Sequence, residues 1–169
     1  MIHDGQAPEI LCPMTSATPA PFRVRIGVRS YEVDVNGHVN HAVYHQYAEH
    51  ARMEHFRAAG LSQAALGARG VTVVLLSTTA RFRAELRAGE EIEVDSEITF
   101  GEGRSFTMGH RIVRDHDVDG ASVDPTPAAD VECTLGLMDL TERRLVTGPR
   151  ALLAAAASRP DVLPGPVRT

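Results

Sequence analysis

The sequence predicts an α+β domain: about five antiparallel strands with one long helix packed against their sheet. Three observations carry this. An apolar/polar alternation opens the ordered part of the chain, a single long helical stripe follows it, and four further strand-like runs then succeed one another with short breaks between them.

In order, residues 1–21 carry four prolines and no regular period, so they read as a flexible N-terminal tail. The domain is expected over 22–158. Phe22, Val24, Ile26 and Val28 alternate with Arg23, Arg25, Gly27 and Arg29, a strand with one wet face. Beyond an irregular stretch from Tyr31 to Val39, the residues Tyr44, Tyr47, Ala48, Ala51, His55, Ala58 and Ala59 share one helical stripe. Asn40 is a favoured cap in front of it and Gly60 a natural stop, which sets the helix at about His41 to Ala59. Strands follow at Val71–Phe82, Ile92–Phe100, Arg104–Val113 and Asp130–Asp139. The breaks at Gly89-Glu90 and Gly101-Glu102-Gly103 are short enough for antiparallel neighbours. Asp115 to Pro127 reads as a surface loop; its Asp115, Asp117 and Asp119 imitate a calcium loop, but Thr126 stands where the closing Glu is needed. A short helix over Pro149–Ser158 and a Pro-rich tail over 159–169 complete the chain. One helix covers one face of such a sheet, so the remaining face or an edge calls for a second copy of the chain.

With 169 residues, 43% of them hydrophobic and 23% charged, the chain has the composition of one globular domain. A net charge of −5 argues against nucleic acid or an anionic membrane as a general partner. Cys12 and Cys133 cannot form a dense disulfide framework, and the N-terminus lacks a basic, apolar leader. A cytoplasmic protein is the expectation.

Chemistry concentrates between the first strand and the helix, where Glu32, Asp34, Asn36, His38 and Asn40 crowd one loop. A helix beginning at His41 offers free backbone N–H groups and the positive end of its dipole to whatever lies in front. Asp34, a few residues upstream, can direct water or its own oxygen at a carbonyl polarised by those groups. Acyl transfer to water is the reaction class this predicts. The plainer alternative is that the Asp and Asn side chains only satisfy the turn and Asn40 only caps the helix. His41 and His45 have the spacing of a helical metal pair, but a zinc site needs three or four converging ligands, so no metal is expected. Tyr44 and Tyr47 read as core packing. Arg81, Arg83, Arg87 and Arg104 can meet phosphates or simply pair with Glu85, Glu90 and Glu102 on a wet strand edge.

Asp34-x-Asn36-Gly37-His38-Val39-Asn40, then Tyr44 and Glu49-x-Ala51-Arg52, resembles the signature of hotdog-fold thioesterases, in particular the 4-hydroxybenzoyl-CoA and acyl-ACP groups. The similarity runs on through Phe82 to Glu90 and Gly103 to Phe106, spanning roughly residues 22–140. It implies a sheet wrapped around the long helix, homodimers or homotetramers with active sites at subunit interfaces, no cofactor, and an acyl-CoA or acyl-carrier-protein thioester as substrate. By the same resemblance Asp34 is the catalytic carboxylate, as nucleophile or general base. The His41 N–H becomes the donor to the thioester carbonyl, and Asn36 with His38 the accompanying polar pair. Gly37, Asn40 and Glu49 support the loop, and Arg104, Ser105 and Arg83 face the coenzyme A or pantetheine arm. Where the family often has a proline before the third core strand, this chain has Glu85, and the further downstream Glu of acyl-ACP thioesterases has no assigned counterpart. Glu49 or Glu54 on the helix is the alternative carboxylate. Two other activities compete. A hotdog hydratase or dehydratase places its His five residues after the Asp with a Pro between, whereas His38 comes four after Asp34 with Gly37 before it. A non-catalytic acyl-thioester binding module is the other.

Overall fold

The computed structural model describes residues 21–163. The N-terminal segment 1–20, and with it nearly all of the expected tail, lies outside the described residues. Strand β1 (Phe22–Gly27) is followed by a 3-10 turn (Ser30–Glu32), the long helix α1 (His41–Ala58) and a short helix α2 (Gln63–Gly67). Then come β2 (Val71–Phe82), β3 (Glu91–Phe100), β4 (Ser105–His116), β5 (Ser122–Asp139) and α3 (Pro149–Ala156).

The five strands form one antiparallel sheet in the order β1-β3-β4-β5-β2, curled around α1. The core lies between helix and sheet. On β3, Ile92, Val94, Ile98 and Phe100 point inward while Glu97 stays exposed, the alternation that a half-buried strand requires. Facing them, β4 buries Phe106, Met108 and Ile112, and α1 contributes Tyr44, Tyr47, Ala48, Ala51 and Phe56.

Asn40 caps α1 as expected: its Oδ1 accepts the Ala42 N–H at 2.9 Å, satisfying a donor that the first helical turn leaves free. Asn40→Ala should therefore lower the unfolding free energy by about 1 kcal/mol, read as a shift of the urea midpoint at unchanged slope. At the other end Gly60 adopts φ +73°, and a Cβ there would collide with the Ser158 side chain. Helix α1 thus ends where the C-terminal segment crosses it.

Three expectations are corrected. The short break at Gly89-Glu90 predicts β2 and β3 as neighbours, yet β2 pairs with β5 at the far edge, from Val71 opposite Asp139 to Phe82 opposite Ala129. Residues 83–90 instead cross back over the end of the sheet, anchored by Arg83 and Ala84 N–H groups on the Ala128 carbonyl and by fully buried Leu86. The stretch 115–127 is largely strand: β4 and β5 run on to a tight turn at Asp117, whose Oδ1 accepts the N–H groups of Asp119 and Ala121. Pro127 fits inside β5 because the register slips opposite Ile112/Val113. Finally, residues 159–163 pack on the domain: Leu163 is buried, and the Val162 carbonyl lies 2.9 Å from His55 Nε2.

Among the described residues, two surfaces remain uncovered. The outer face of the sheet is charged, with Arg23 bridging Glu93 and Asp95 at 3.0 Å. The β2 edge exposes Leu75, Leu76 and Phe82, apolar side chains on a strand whose outer backbone groups have no partner within the described protomer.

Candidate active site

The chemistry-rich segment folds into a narrow loop closed at its base. Val33 bridges Val39, and the Asn40 N–H reaches the Glu32 carbonyl at 2.9 Å. Inside the loop the Asp34 N–H donates to the His38 carbonyl at 2.8 Å and the Gly37 N–H to the Asp34 carbonyl at 3.0 Å. Gly37 sits at φ +76°, a conformation costly for a side-chain-bearing residue, so the glycine lets the chain reverse within four residues. The Asp34 carboxylate takes part in the turn through Oδ1, which accepts the Asn36 N–H at 2.8 Å. The Asn36 amide lies 3.5 Å from Oδ2, which leaves that oxygen the freer of the two.

This loop borders an open cavity of about 370 Å³, with the start of α1 and the segment after β2 on its other sides. Asp34, His38 and His41 line it from the loop and helix; Tyr44, Phe82, Arg83 and Glu85 line it from below and beside. The His41 N–H stands first in α1, where no carbonyl of the helix can accept it. The cavity therefore joins a half-buried carboxylate to a positively polarised helix end, the pairing needed to attack a carbonyl and hold the charge that develops on its oxygen.

His38 pairs across the cavity with Glu85, its Nε2 lying 2.9 Å from that carboxylate. Arg87, hydrogen-bonded to Glu85 at 2.6 Å, holds that carboxyl below the usual range. Tyr44 is buried and its ring meets Phe82 edge-on at 5.1 Å, giving the cavity an aromatic corner, while burial pushes its phenol up. Tyr44 is thus both core and cavity wall, which the sequence reading divided too sharply. Phe82 is not legible as a site residue, and Glu85 stands out in the sequence only as the replacement of a family proline; the crossover after β2 brings both beside the loop.

The other expected residues stand apart. Glu49 is exposed on α1 and its Oε1 accepts from Arg52 at 3.4 Å, away from the cavity. Arg83 reaches the cavity but is tied to Asp130 at 2.6 Å. Arg104 donates to the Leu145 carbonyl, and Ser105 pairs with Gly136. That level of β5 is seven residues from Ala129, where the cavity wall begins, roughly 23 Å along the strand at about 3.3 Å per residue. Within one protomer Arg104 and Ser105 do not meet Asp34.

A larger hollow, about 560 Å³, opens on the outer sheet face where Gly109 leaves a gap between Glu97 and Glu132. Exposed charges line it and no helix end points into it, so it lacks the pairing found under the Asp34 loop.

A family model described as the Thioesterase-like superfamily matches residues 28–156. Among curated relatives, the acyl-CoA thioester hydrolase YbgC of Escherichia coli O157:H7 is 36% identical over 92 residues, 54% of this chain and 69% of that one. The chloroplastic acyl-acyl carrier protein thioesterase ATL3 of Arabidopsis thaliana is 33% identical over 93 residues, 55% of this chain; the match spans only 46% of the plant protein. Among solved structures, the hypothetical protein TT1821 from Thermus thermophilus superposes with a TM-score of 0.64 at 27% identity, covering 79% of this chain and 95% of that one. The 4-hydroxybenzoyl CoA thioesterase from Pseudomonas sp. strain CBS-3 gives 0.68 at 19% identity, covering 79% and 97%, and so shares the hotdog fold.

Proposed function

We propose, for a chain that belongs to the thioesterase-like superfamily, that the cavity under the Asp34 loop hydrolyses an acyl-CoA or acyl-carrier-protein thioester to a free acid and a thiol. One observation carries the reading: Asp34 and the first residue of α1 line the same cavity. The thioester carbonyl oxygen points at the His41 N–H. Asp34, through Oδ2, either takes a proton from the attacking water or attacks the carbonyl carbon itself, and the C–S bond then breaks to release the thiolate. Asn36 and His38 orient the water or substrate, with Gly37 and Asn40 keeping the loop and helix start in register. Glu49 supports the helix through Arg52. The scheme uses no cofactor and no metal.

Assembly completes this reading. A two-fold axis through the middle of β2 would pair its open edge with that of a second copy and cover Leu75, Leu76 and Phe82. It would also carry the Arg104–Ser105 end of one copy toward the cavity of the other, where with Arg83 these residues meet the pantetheine arm and its phosphates. Homodimers, alone or paired as tetramers, are the working unit in this proposal. No helix among the described residues is long and apolar enough to cross a membrane. The buried free thiol of Cys133 fits the reducing cytoplasm.

A panel of aryl, short, medium, long and β-keto acyl groups on both coenzyme A and a carrier protein tests the proposal. Hydrolysis of at least one class with release of free thiol is expected. Enoyl-CoA hydration without thiol release would replace the reading by a hydratase, and binding without turnover by a non-catalytic module.

A further inference from the structure

We infer that Glu32, two residues before Asp34, is a positioning residue that fixes the Asp34 carboxylate relative to the His41 N–H; the inference rests on the thioesterase reading of this cavity. Glu32 is buried, unusual for a carboxylate, yet it does not line the cavity. Its side chain points to the opposite side of the loop, into a small hollow shared with Arg29, Gln46 and Tyr47. There it accepts the Tyr47 hydroxyl at 2.7 Å from the second turn of α1, and the Arg29 N–H at 2.7 Å and guanidinium at 3.1 Å from the chain before the loop. Burial opposes its ionisation, but these donors outweigh burial and hold the carboxyl below its usual range.

The backbone of the same residue closes the circuit. The Glu32 carbonyl accepts the Asn40 N–H at 2.9 Å, while Asn40 caps α1 just before His41. Glu32 therefore touches the strand side through Arg29, the helix side through Tyr47 and the helix start through Asn40. Between these fixed points run the residues from Val33 to Val39, the last held also by its N–H on the Leu86 carbonyl at 2.8 Å, with Asp34 next but one to the Glu32 anchor. Release of the Tyr47 bond frees the loop base to shift against the helix, and displacements near 1 Å in a reacting pair cost about a hundredfold in rate. Tyr47 and Glu32 thus act through Asp34 and touch no substrate.

The experiment uses the full chain with Tyr47→Phe and Glu32→Gln, alone and combined with Asp34→Asn. The expected result is a 10- to 100-fold fall in kcat with KM changed less than threefold for both single variants. In the Asp34→Asn background the same changes should cost less than threefold, because there is no carboxylate left to place. Amide hydrogen exchange supplies the second arm, without substrate: the Asp34 and Asn40 N–H groups should exchange at least tenfold faster in Glu32→Gln, with β3–β5 unchanged. Wild-type kcat in both variants, losses that multiply fully with Asp34→Asn, or unaltered exchange at those two amides would overturn the inference. A wild-type protein that turns over no thioester removes the enzymatic reading, and the exchange arm still decides whether Glu32 holds the loop.

Discussion

Asp34→Asn is expected to lower kcat/KM for thioester hydrolysis by about a thousandfold, within the range that loss of a positioned base brings. The substitution separates chemistry from structure unusually well. An Asn side-chain oxygen can still accept the Asn36 N–H that Asp34 Oδ1 holds at 2.8 Å, so the turn and its Gly37 reversal persist. The melting temperature should move by no more than a couple of degrees, on the order expected for a half-exposed polar replacement. What disappears is the negative oxygen that either removes the proton of water or forms the new bond to carbon. Steady-state hydrolysis of the best substrate in the panel measures the loss. Equal rates for wild type and variant would remove Asp34 from the mechanism and turn attention to Glu85, the other carboxylate in the cavity.

The second large effect concerns stability in acid. His110 on β4 is 2% exposed, and neither ring nitrogen has a hydrogen-bond partner among the described residues. Burial first, then the Arg52 charge and His55, lowers its pKa to about 3. The native protein thus keeps His110 neutral, whereas the unfolded chain protonates it below about 6.5. Because the unfolded state binds the extra proton, stability is full above pH 6.5 and drains away as pH falls toward 3, at up to about 1.4 kcal/mol per pH unit. Burial lowers the pKa of His55 in the same way, and it adds to the slope. Chemical denaturation at pH 7.0 and 4.5 should show wild type losing roughly 2–3 kcal/mol to His110 alone. His110→Leu, which removes the titrating ring, should lose correspondingly less. Parallel losses in the two proteins would mean that the ring finds a proton acceptor or water in the native state.

The sequence made the local elements readable and left their non-local partners obscure. Asn40 and Gly60 bracket α1 within one residue, because capping and left-handed termination are chemical properties of single side chains. The place of β2 was not readable: its pairing with β5 depends on which distant strand offers a matching edge, and a short break before β3 says nothing about that. Pro125 and Pro127 make their segment look like a loop, although a slipped register accommodates Pro127 within a strand. Arg52 reads as a polar residue off the helical stripe, yet it is buried and held by Cys133 and Glu49, whereas His55, expected on the stripe, is buried there between Ser96 and Val162. In the site, the Asp34–His41 segment was legible because the loop and helix start are contiguous in the chain. Phe82 was not, and Glu85 only as a departure from the family's proline, since their approach follows from the crossover.

The placement of β2 at the far edge also dictates the order in which the molecule can acquire its cavity. Strands β3, β4 and β5 meet through turns of a few residues, so their hairpins can close early during refolding. β2 must wait for β5, with Val71 joining Asp139 and Phe82 joining Ala129 only after a long intervening loop is closed. Since Phe82 to Glu85 form the cavity wall, a nascent chain released from synthesis before β5 is made would own the carboxylate and the helix end but no pocket between them.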